Sequence, residues 1–463
     1  MTPHDTFLLV TALASVLFLV LLIVSRLHVR PLLALLVTSL GVGLVTGMPA
    51  TTLLASNTNG AGKTLGAIGL VVALGAMLGK ILASTGVTGS VADIVLRRTS
   101  ERALPWTMAG LAFVIGIPMF FEVGMVVLLP LVFAVAKRMQ DTTTRGGSAY
   151  VSAGVPVIAA LAAMHGMVPP HPGPLTAIAT LQTSIGPTMV YGFIAAIPAI
   201  VLAGPVYASI IAPRLRVQPD AALIEQFTPP ASAHTTPSQH PGLALGIFAS
   251  LLPALLMLAH ALGELVVSKG SALATLLAFF GNPVVAMLVG VLFAMVTLVY
   301  ANRVDAAHLR DELGASLKPI AGVLLIIAGG GAFQQVLTDA RIGDAIVAMS
   351  HQFAFSPLLL GWVISMMLSV STGSATVGIV GAAGLLAPLA ASGNGVNGPL
   401  LALSIGCGSL FFNYANHAGF RLVKESFGMS MTEATLTNSV TQSIVSLVGL
   451  VMVLLMNLFP ALG

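Results

Sequence analysis

The sequence predicts an all-α polytopic membrane protein built as two inverted repeats, each with about five transmembrane helices, a re-entrant hairpin and a broken helix. Of the 463 residues, 57% are hydrophobic and only 7% are charged, whereas soluble proteins carry roughly a quarter charged residues. The apolar runs are continuous, which is typical of membrane helices and not of the alternating strands of a β-barrel. These features exclude a soluble enzyme, a nucleic-acid-binding protein and a disordered chain.

The net charge, the cysteine content and the first apolar segment are also those of an integral membrane protein. The net charge of +4 is what basic cytoplasmic loops give a membrane protein, so it needs no nucleic-acid partner. The single cysteine, Cys407, excludes a disulfide framework and a cysteine metal cluster. The first apolar segment, residues 7–24, lacks the basic flank of a signal peptide and is interpreted as a retained helix. We expect neither a metal nor a cofactor.

Ten apolar segments are long enough to be candidate crossings. They cover residues 7–25, 31–47, 65–84, 149–164, 188–211, 243–263, 282–301, 319–337, 398–412 and 436–460. Two further apolar stretches, 105–136 and 356–390, are interrupted at Gly116–Pro118 and at Ser371–Thr376. Each is either a re-entrant hairpin or a pair of tight crossings, because open backbone at membrane depth must be buried in protein or line a cavity.

Positive charges orient these spans. With both termini outside, 15 Lys and Arg residues lie inside and 3 lie outside, as the positive-inside rule requires. The chain then divides into a first half (1–212), a cytoplasmic linker (213–241) rich in Pro and Ser, and a second half (242–463).

The two halves resemble each other. Thr376 lies 254 positions after Glu122; Glu122 follows the first break, and Thr376 is the last residue of the second. Because each half holds five crossings and one hairpin, an odd number of crossings places the halves upside down relative to each other. Inverted repeats with discontinuous helices in matching positions are typical of secondary transporters with a site near the bilayer midplane.

Glu122 is the first candidate site residue, and we predict that it couples transport to protons. It lies between Phe121 and Val123, at the start of a long apolar run. Apolar surroundings favour the neutral form of a carboxyl group, and an opening to water favours the charged form. A carboxyl group that only braces two helices is the alternative.

The segment His165–Pro174 contains four prolines and is predicted to be unwound, because proline removes a backbone donor and clashes with the preceding turn. His171 is a candidate substrate ligand and His165 a candidate proton relay, although each is as consistent with a structural histidine. Two histidines without a nearby carboxylate are a weak metal motif.

The second break offers hydroxyl groups around Gly373. Ser and Thr are favoured at helix N-caps, and a helix N-terminus is also an anion site. The segment Asn413–Gly419 is predicted to be a second broken helix. The candidate substrate ligands in these two segments are Thr372, Ser374, Thr376, Asn413, Asn416 and His417.

Several motifs together resemble the gluconate:proton symporter (gluconate permease) family of the ion-transporter superfamily. They are Ile117–Gly124, His165–Pro174, Gly373–Val377, Ala418–Phe420 and Leu422–Glu425. The resemblance implies a permease of the bacterial inner membrane that takes up gluconate or a related sugar acid with protons; relatives carry idonate, fructuronate, glycerate or D-serine. It also implies a scaffold domain, a moving transport domain and a homodimer in the lipid bilayer. The chain departs from the family's Asn-Asp pair at Asn416-His417 and from its usual aromatic residue at Arg421.

The sequence therefore predicts a proton-coupled symporter of a small anionic hydroxy acid and not an enzyme. Sodium coupling, a D-serine-type amino acid substrate and a channel remain alternatives. An intramembrane enzyme is the least favoured, because the chain lacks paired membrane aspartates, a metal motif and a Gly-x-Ser-x-Gly nucleophile.

Overall fold

The computed structural model describes residues 2–24, 29–85, 99–100, 102–117, 121–142, 147–219, 243–268, 270–301, 306–342, 345, 356–391, 396–415 and 417–459. Every regular element among these residues is helical, which confirms the all-α class. Most of the predicted linker, and the candidate ligand Asn416, lie outside the described residues.

Nineteen α-helices are described. In the first half they are α1 (Pro3–Val24), α2 (Pro31–Val45), α3 (Ala50–Ser84), α4 (Leu104–Gly116), α5 (Phe121–Thr142), α6 (Ala149–Met167), α7 (Pro172–Leu181), α8 (Ile185–Val201) and α9 (Tyr207–Ile211). In the second half they are α10 (Leu243–Val266), α11 (Ala272–Gly281), α12 (Pro283–Ala294), α13 (Ala306–Asp339), α14 (Pro357–Thr372), α15 (Ala375–Ala391), α16 (Gly398–Gly408), α17 (Ala418–Ser426), α18 (Met431–Ala434) and α19 (Val440–Asn457). Three π-helical turns (Leu202–Val206, Met295–Tyr300 and Thr435–Ser439) continue α8, α12 and α18, and a 3₁₀ turn, Ala212–Arg214, follows α9.

Within the described chain, seven segments are long and apolar enough to cross a membrane. They are Pro3–Ile23, Ala50–Leu82, Ala149–Leu181, Ile185–Arg214, Ala244–Gly263, Pro283–Tyr300 and Met431–Asn457. The predicted crossings 31–47 and 398–412 correspond to shorter helices of 15 and 11 residues. The predicted crossing 319–337 lies inside α13, which has 34 residues.

Helix α3 begins at Ala50 and not at residue 65, so the exposed Lys63 lies in a continuous helix and not in a loop. The polar first part of α3 is helical because its side chains find partners on other helices. Ser39 donates a hydrogen bond to Asn57 Oδ1 at 2.9 Å, and Ser56 donates one to Asp339 Oδ2 at 2.5 Å. Hydropathy alone does not detect a helix whose polar groups are satisfied in this way.

Both interrupted stretches are pairs of helices that break where the sequence predicts. The first pair ends α4 at Gly116 and begins α5 at Phe121; the second ends α14 at Thr372 and begins α15 at Ala375. Gly373 caps α14 with a φ of +68°, a left-handed conformation that glycine adopts without a steric penalty. Helix α4 has 13 residues and is therefore about 20 Å long, shorter than the ~30 Å hydrocarbon core. This length favours a re-entrant hairpin.

The unwound segment in the first half is shorter than predicted. Helix α6 runs through His165 to Met167, and α7 begins at Pro172, so only Val168–His171 is non-helical. Proline is tolerated in the first turn of a helix, where its missing N–H has no intrahelical partner. Pro172 and Pro174 therefore open α7. In the second half, α16 ends at Gly408 and α17 begins at Ala418, so the break also stops short of the predicted Gly419.

The helices form two groups. Helices α1–α3 and α10–α13 pack mainly against one another, and α4–α9 pack mainly with α14–α19. Helix α6 lies at the centre of the second group, with nearly all its side chains buried. Helix α13 of the first group packs against α15 of the second, so closely that a Cβ atom at Gly330 would overlap Val380. This contact brings α13 to the edge of the cavity described next.

Candidate functional site

A cavity of about 340 Å³ lies where the two interrupted stretches and the second broken helix meet. It is lined by Phe121, Glu122, Val123, Ala162, His165, Ile326, Gly373, Ser374, Ala375, Thr376, Leu410, Asn413, His417, Ala418 and Gln442. The structure thus brings together six of the predicted site residues, from segments that are up to three hundred positions apart. Thr372 and His171 do not line it.

Glu122 is the second residue of α5. The start of α5 is held against α6, because Gly124 leaves room for Leu161: an added Cβ at Gly124 would lie 2.7 Å from Leu161 Cδ2. In the described part of the chain, no basic side chain forms an ion pair with Glu122. Glu122 lines the cavity beside the buried ring of Phe121.

Ser374 and Thr376 flank the start of α15. The Ser374 hydroxyl accepts a hydrogen bond from the Val377 N–H at 3.3 Å, which is N-cap geometry. Thr372 behaves differently, because its hydroxyl donates to the Leu368 carbonyl at 2.7 Å within α14. Of the three predicted hydroxyl ligands in this hairpin, two line the cavity and one points into its own helix.

The two histidines of the first half also differ in position. His165, in the last turn of α6, lines the cavity, and its Nδ1 has no hydrogen-bond partner among the described residues. His171 is 2% exposed and precedes α7. The rings contact each other edge to face, with centroids 4.4 Å apart. His171 therefore contacts a residue of the cavity lining but is not itself part of that lining.

Asn413 lines the cavity, but its amide is engaged by the protein. Its Nδ2 donates to Gln442 Oε1 at 2.9 Å, and its Oδ1 accepts from the Ser369 hydroxyl at 3.1 Å. Gln442 in turn donates from Nε2 to Asn438 Oδ1 at 2.9 Å. This buried network joins α14, the unwound segment before α17 and α19.

Gln442 is 2% exposed and lines the cavity, but it is not among the site residues that the sequence predicted. A signal was present, because the apolar segment 436–460 opens with the polar run Thr437–Ser443, interrupted only by Val440. Polar residues inside a predicted span are expensive unless they are paired or functional. In the structure the start of this run lies in a π-helical turn, Thr435–Ser439, a feature that is frequent at functional sites.

The positive potential in the cavity comes from the N-termini of helices. No Lys or Arg is among its lining residues, and Glu122 is the one carboxyl group among them. Three helices, α5, α15 and α17, begin at residues of the lining. Free N–H groups at a helix N-terminus attract anions. The cavity is therefore suited to a small anion that carries hydroxyl groups.

Comparison with known proteins shows which family this chain belongs to. Residues 7–459 match the model of the GntP family permease. The chain belongs to this family. It is 38% identical to a gluconate permease of Pseudomonas aeruginosa, over 98% of both chains. It is also 38% identical to a high-affinity gluconate transporter of Escherichia coli, over 97% of this chain and 99% of that protein.

The fold is shared more widely. The YdaH transporter of Alcanivorax borkumensis superposes with a TM-score of 0.63 at 15% identity, over 94% of this chain and 100% of that one. The GntP family and its relatives are transporters, which confirms the predictions of a transporter and not an enzyme, and of a multi-pass protein of the bacterial inner membrane. A small anionic substrate and the lipid bilayer are the partners that this family implies.

Proposed function

We propose that this GntP family permease takes up gluconate or a closely related sugar acid together with protons. One observation carries the proposal: a single cavity combines a carboxyl group, Glu122, with hydroxyl groups at the start of α15. The first can gain and lose a proton, and the second can hold a hydroxylated anion. The names of the relatives point to gluconate.

In this proposal the substrate carboxylate lies near the N-termini of the helices that begin at the cavity. The side chains of Ser374, Thr376 and His417 bind oxygen atoms of the substrate. Asn413 has a positioning role, because its amide is bonded to Gln442 and Ser369. Asn416 and His171 remain proposed ligands, Asn416 outside the described residues and His171 behind His165. Thr372 contributes only if its hydroxyl leaves the Leu368 carbonyl.

Glu122 is the proposed coupling group. It accepts a proton from the outside while the cavity is open to that side, and it releases the proton to the inside. Each proton that moves inward gains about 2.3 kcal/mol per 100 mV of membrane potential. His165 is the proposed relay, because the residue lines the same cavity and its buried Nδ1 has no hydrogen-bond partner among the described residues.

The proposed mechanism uses two inverted halves, 1–212 and 242–463, joined by the 213–241 linker. Helix bounds support the repeat: shifted by the 254 positions that separate Glu122 from Thr376, α3 falls on α13 and α5 begins where α15 begins. We assign α1–α3 and α10–α13 to a scaffold that dimerises, and the other group to the moving transport domain. Alternating access then moves the cavity past the scaffold.

The test is uptake of labelled gluconate into proteoliposomes with an imposed gradient. We expect accumulation above the outside concentration with an inward proton gradient, and none with a sodium gradient at equal pH on both sides. Glucose, which lacks the carboxylate, should not compete. Accumulation driven by sodium alone would overturn proton coupling, and equilibration without accumulation would indicate a channel.

A further inference from the structure

His417 uses one ring nitrogen for the fold and leaves the other for the cavity. Its Nδ1 accepts a hydrogen bond from the Gly419 N–H at 3.2 Å and so caps α17. The residue is 8% exposed and belongs to the cavity lining. No acceptor in the described part of the chain bonds to its Nε2.

The cap determines the tautomer of the imidazole. A backbone N–H always donates, so Nδ1 must present its lone pair to Gly419. In a neutral imidazole the proton then lies on Nε2. Nε2 is therefore a hydrogen-bond donor and cannot accept while α17 remains capped.

The packing around the cap holds this arrangement in place. An added Cβ at Gly419 would lie 2.7 Å from Phe121 Cε1 and 3.3 Å from His417 Nδ1, so the start of α17 is pressed against the start of α5. The charged or titratable groups around His417 are Glu122 of α5, His165 of α6 and Arg421 of α17. Glu433, on the neighbouring α18, is engaged in a capping box with Ser430.

We propose that His417 is a donor-only specificity residue that selects hydroxy acids against amino acids. The Nε2–H group requires an acceptor oxygen on the substrate, and in this proposal the hydroxyl group next to the substrate carboxylate supplies it. An ammonium group at the same place would oppose one donor to another and would leave both unpaired, which buried polar groups do not tolerate. This inference rests on the proposed function and names the substrate chemistry of that site.

Two substitutions separate the cap from the cavity donor. His417→Asn places an amide oxygen where Nδ1 lies, so α17 keeps a favoured N-cap residue, but the Nε2–H donor is lost. His417→Gln places an amide nitrogen near the position of Nε2, so the donor remains and the cap is lost. The first variant tests recognition, and the second tests folding.

The probes are gluconate and 2-amino-2-deoxygluconate, which differ only by an ammonium group in place of one hydroxyl. In proteoliposomes we expect His417→Asn to raise KM for gluconate roughly 10-fold or more, the effect of one lost hydrogen bond to a charged or polar partner. The maximal rate and the melting temperature should change little. The preference for gluconate over its amino analogue should fall. His417→Gln should keep most of the preference and melt at a lower temperature.

The experiment distinguishes failure of gluconate transport from failure of the donor role of His417. A wild-type protein that neither binds nor transports gluconate would overturn the proposed function and this inference with it. A wild-type protein that transports gluconate, beside a folded His417→Asn variant with the same KM and the same substrate preference, would overturn the inference alone.

Discussion

The two interrupted stretches have the same architecture and different chemistry. Each is a helix pair whose second helix begins at the cavity, and Glu122 and Thr376 are both the second residue of that helix. One position carries a group that can change its charge, and the other carries a hydroxyl that cannot. In the proposed function, one geometry therefore serves two tasks, proton coupling in the first pair and substrate recognition in the second.

The two pairs are also held differently. The first is held through α6, because Gly116 and Gly124 both pack on Leu161. The second is held through its own helices and a polar network: Gly378 packs on the Ser365 carbonyl, and Ser369 joins the chain of amides from Asn413 to Asn438. The helix pair that carries Glu122 is thus held by apolar packing, and the pair that carries Ser374 and Thr376 is held partly by a set of hydrogen bonds.

Glu122→Gln should have the largest effect, because it removes the one carboxyl group among the residues that line the cavity. The amide mimics the protonated carboxyl group permanently. We expect the variant to bind gluconate and to exchange it across the membrane, but to lose accumulation driven by a pH gradient. The measurement is counterflow beside gradient-driven uptake in the same vesicles. If the variant still concentrates gluconate in response to protons, Glu122 is structural and the coupling group must be sought among His165, His171 and His417.

Gln442→Leu should come next, because it breaks the network that fixes the second pair. The substitution leaves Asn413 Nδ2 and Asn438 Oδ1 without this partner, and each such buried group costs about 1–3 kcal/mol. We expect a lower melting temperature and weaker gluconate binding, with proton dependence retained.

Thr441→Val is the matched control for Gln442→Leu. Thr441 is the neighbouring residue, is fully buried, and its hydroxyl has no partner among the described residues. Its replacement should leave melting and binding unchanged. Equal effects of the two substitutions would show that the network does not position the site.

Thr376→Val tests recognition by the second pair directly. The substitution keeps the shape of the side chain and removes the hydroxyl, so we expect gluconate affinity to fall by about 1–3 kcal/mol, measured as a rise in KM. Thr372→Val, four residues earlier, removes a hydroxyl that bonds within α14 and should change KM little. The prediction is wrong if the two variants are indistinguishable.

Gly124→Ala should have the smallest effect, on the packing of the first pair. The added methyl group meets the end of the Leu161 side chain, which can turn partly aside, so we expect a destabilisation of about 1 kcal/mol. Leu161→Val in the same chain should restore part of the melting temperature. Without such rescue, the contact between α5 and α6 is not what holds the first pair.

Local chemistry allowed much of the architecture to be read in advance. Continuous apolar runs with few charges permit only a helical membrane protein, because a bilayer cannot satisfy open backbone groups. Gly373 and the clustered prolines predicted where the helices break, because glycine and proline act on the backbone of their own turn. Glu122, Ser374, Thr376 and His417 stood out because polar groups in apolar surroundings are costly and therefore rarely incidental.

The tertiary structure decided which of these residues meet. Gln442 lines the cavity although it is more than three hundred residues from Glu122. Thr372 and His171 do not line it, although they lie in the same sequence motifs as cavity residues. At the polar start of α3, Ser39 and Asp339 supply hydrogen-bond partners from other helices. The role of His417 depends on the Gly419 N–H and on the ring of Phe121. Helix packing brings together residues that are far apart in the sequence, and so it determines which side chains contact each other. Composition and spacing can therefore identify candidate site residues but cannot show which of them are in contact.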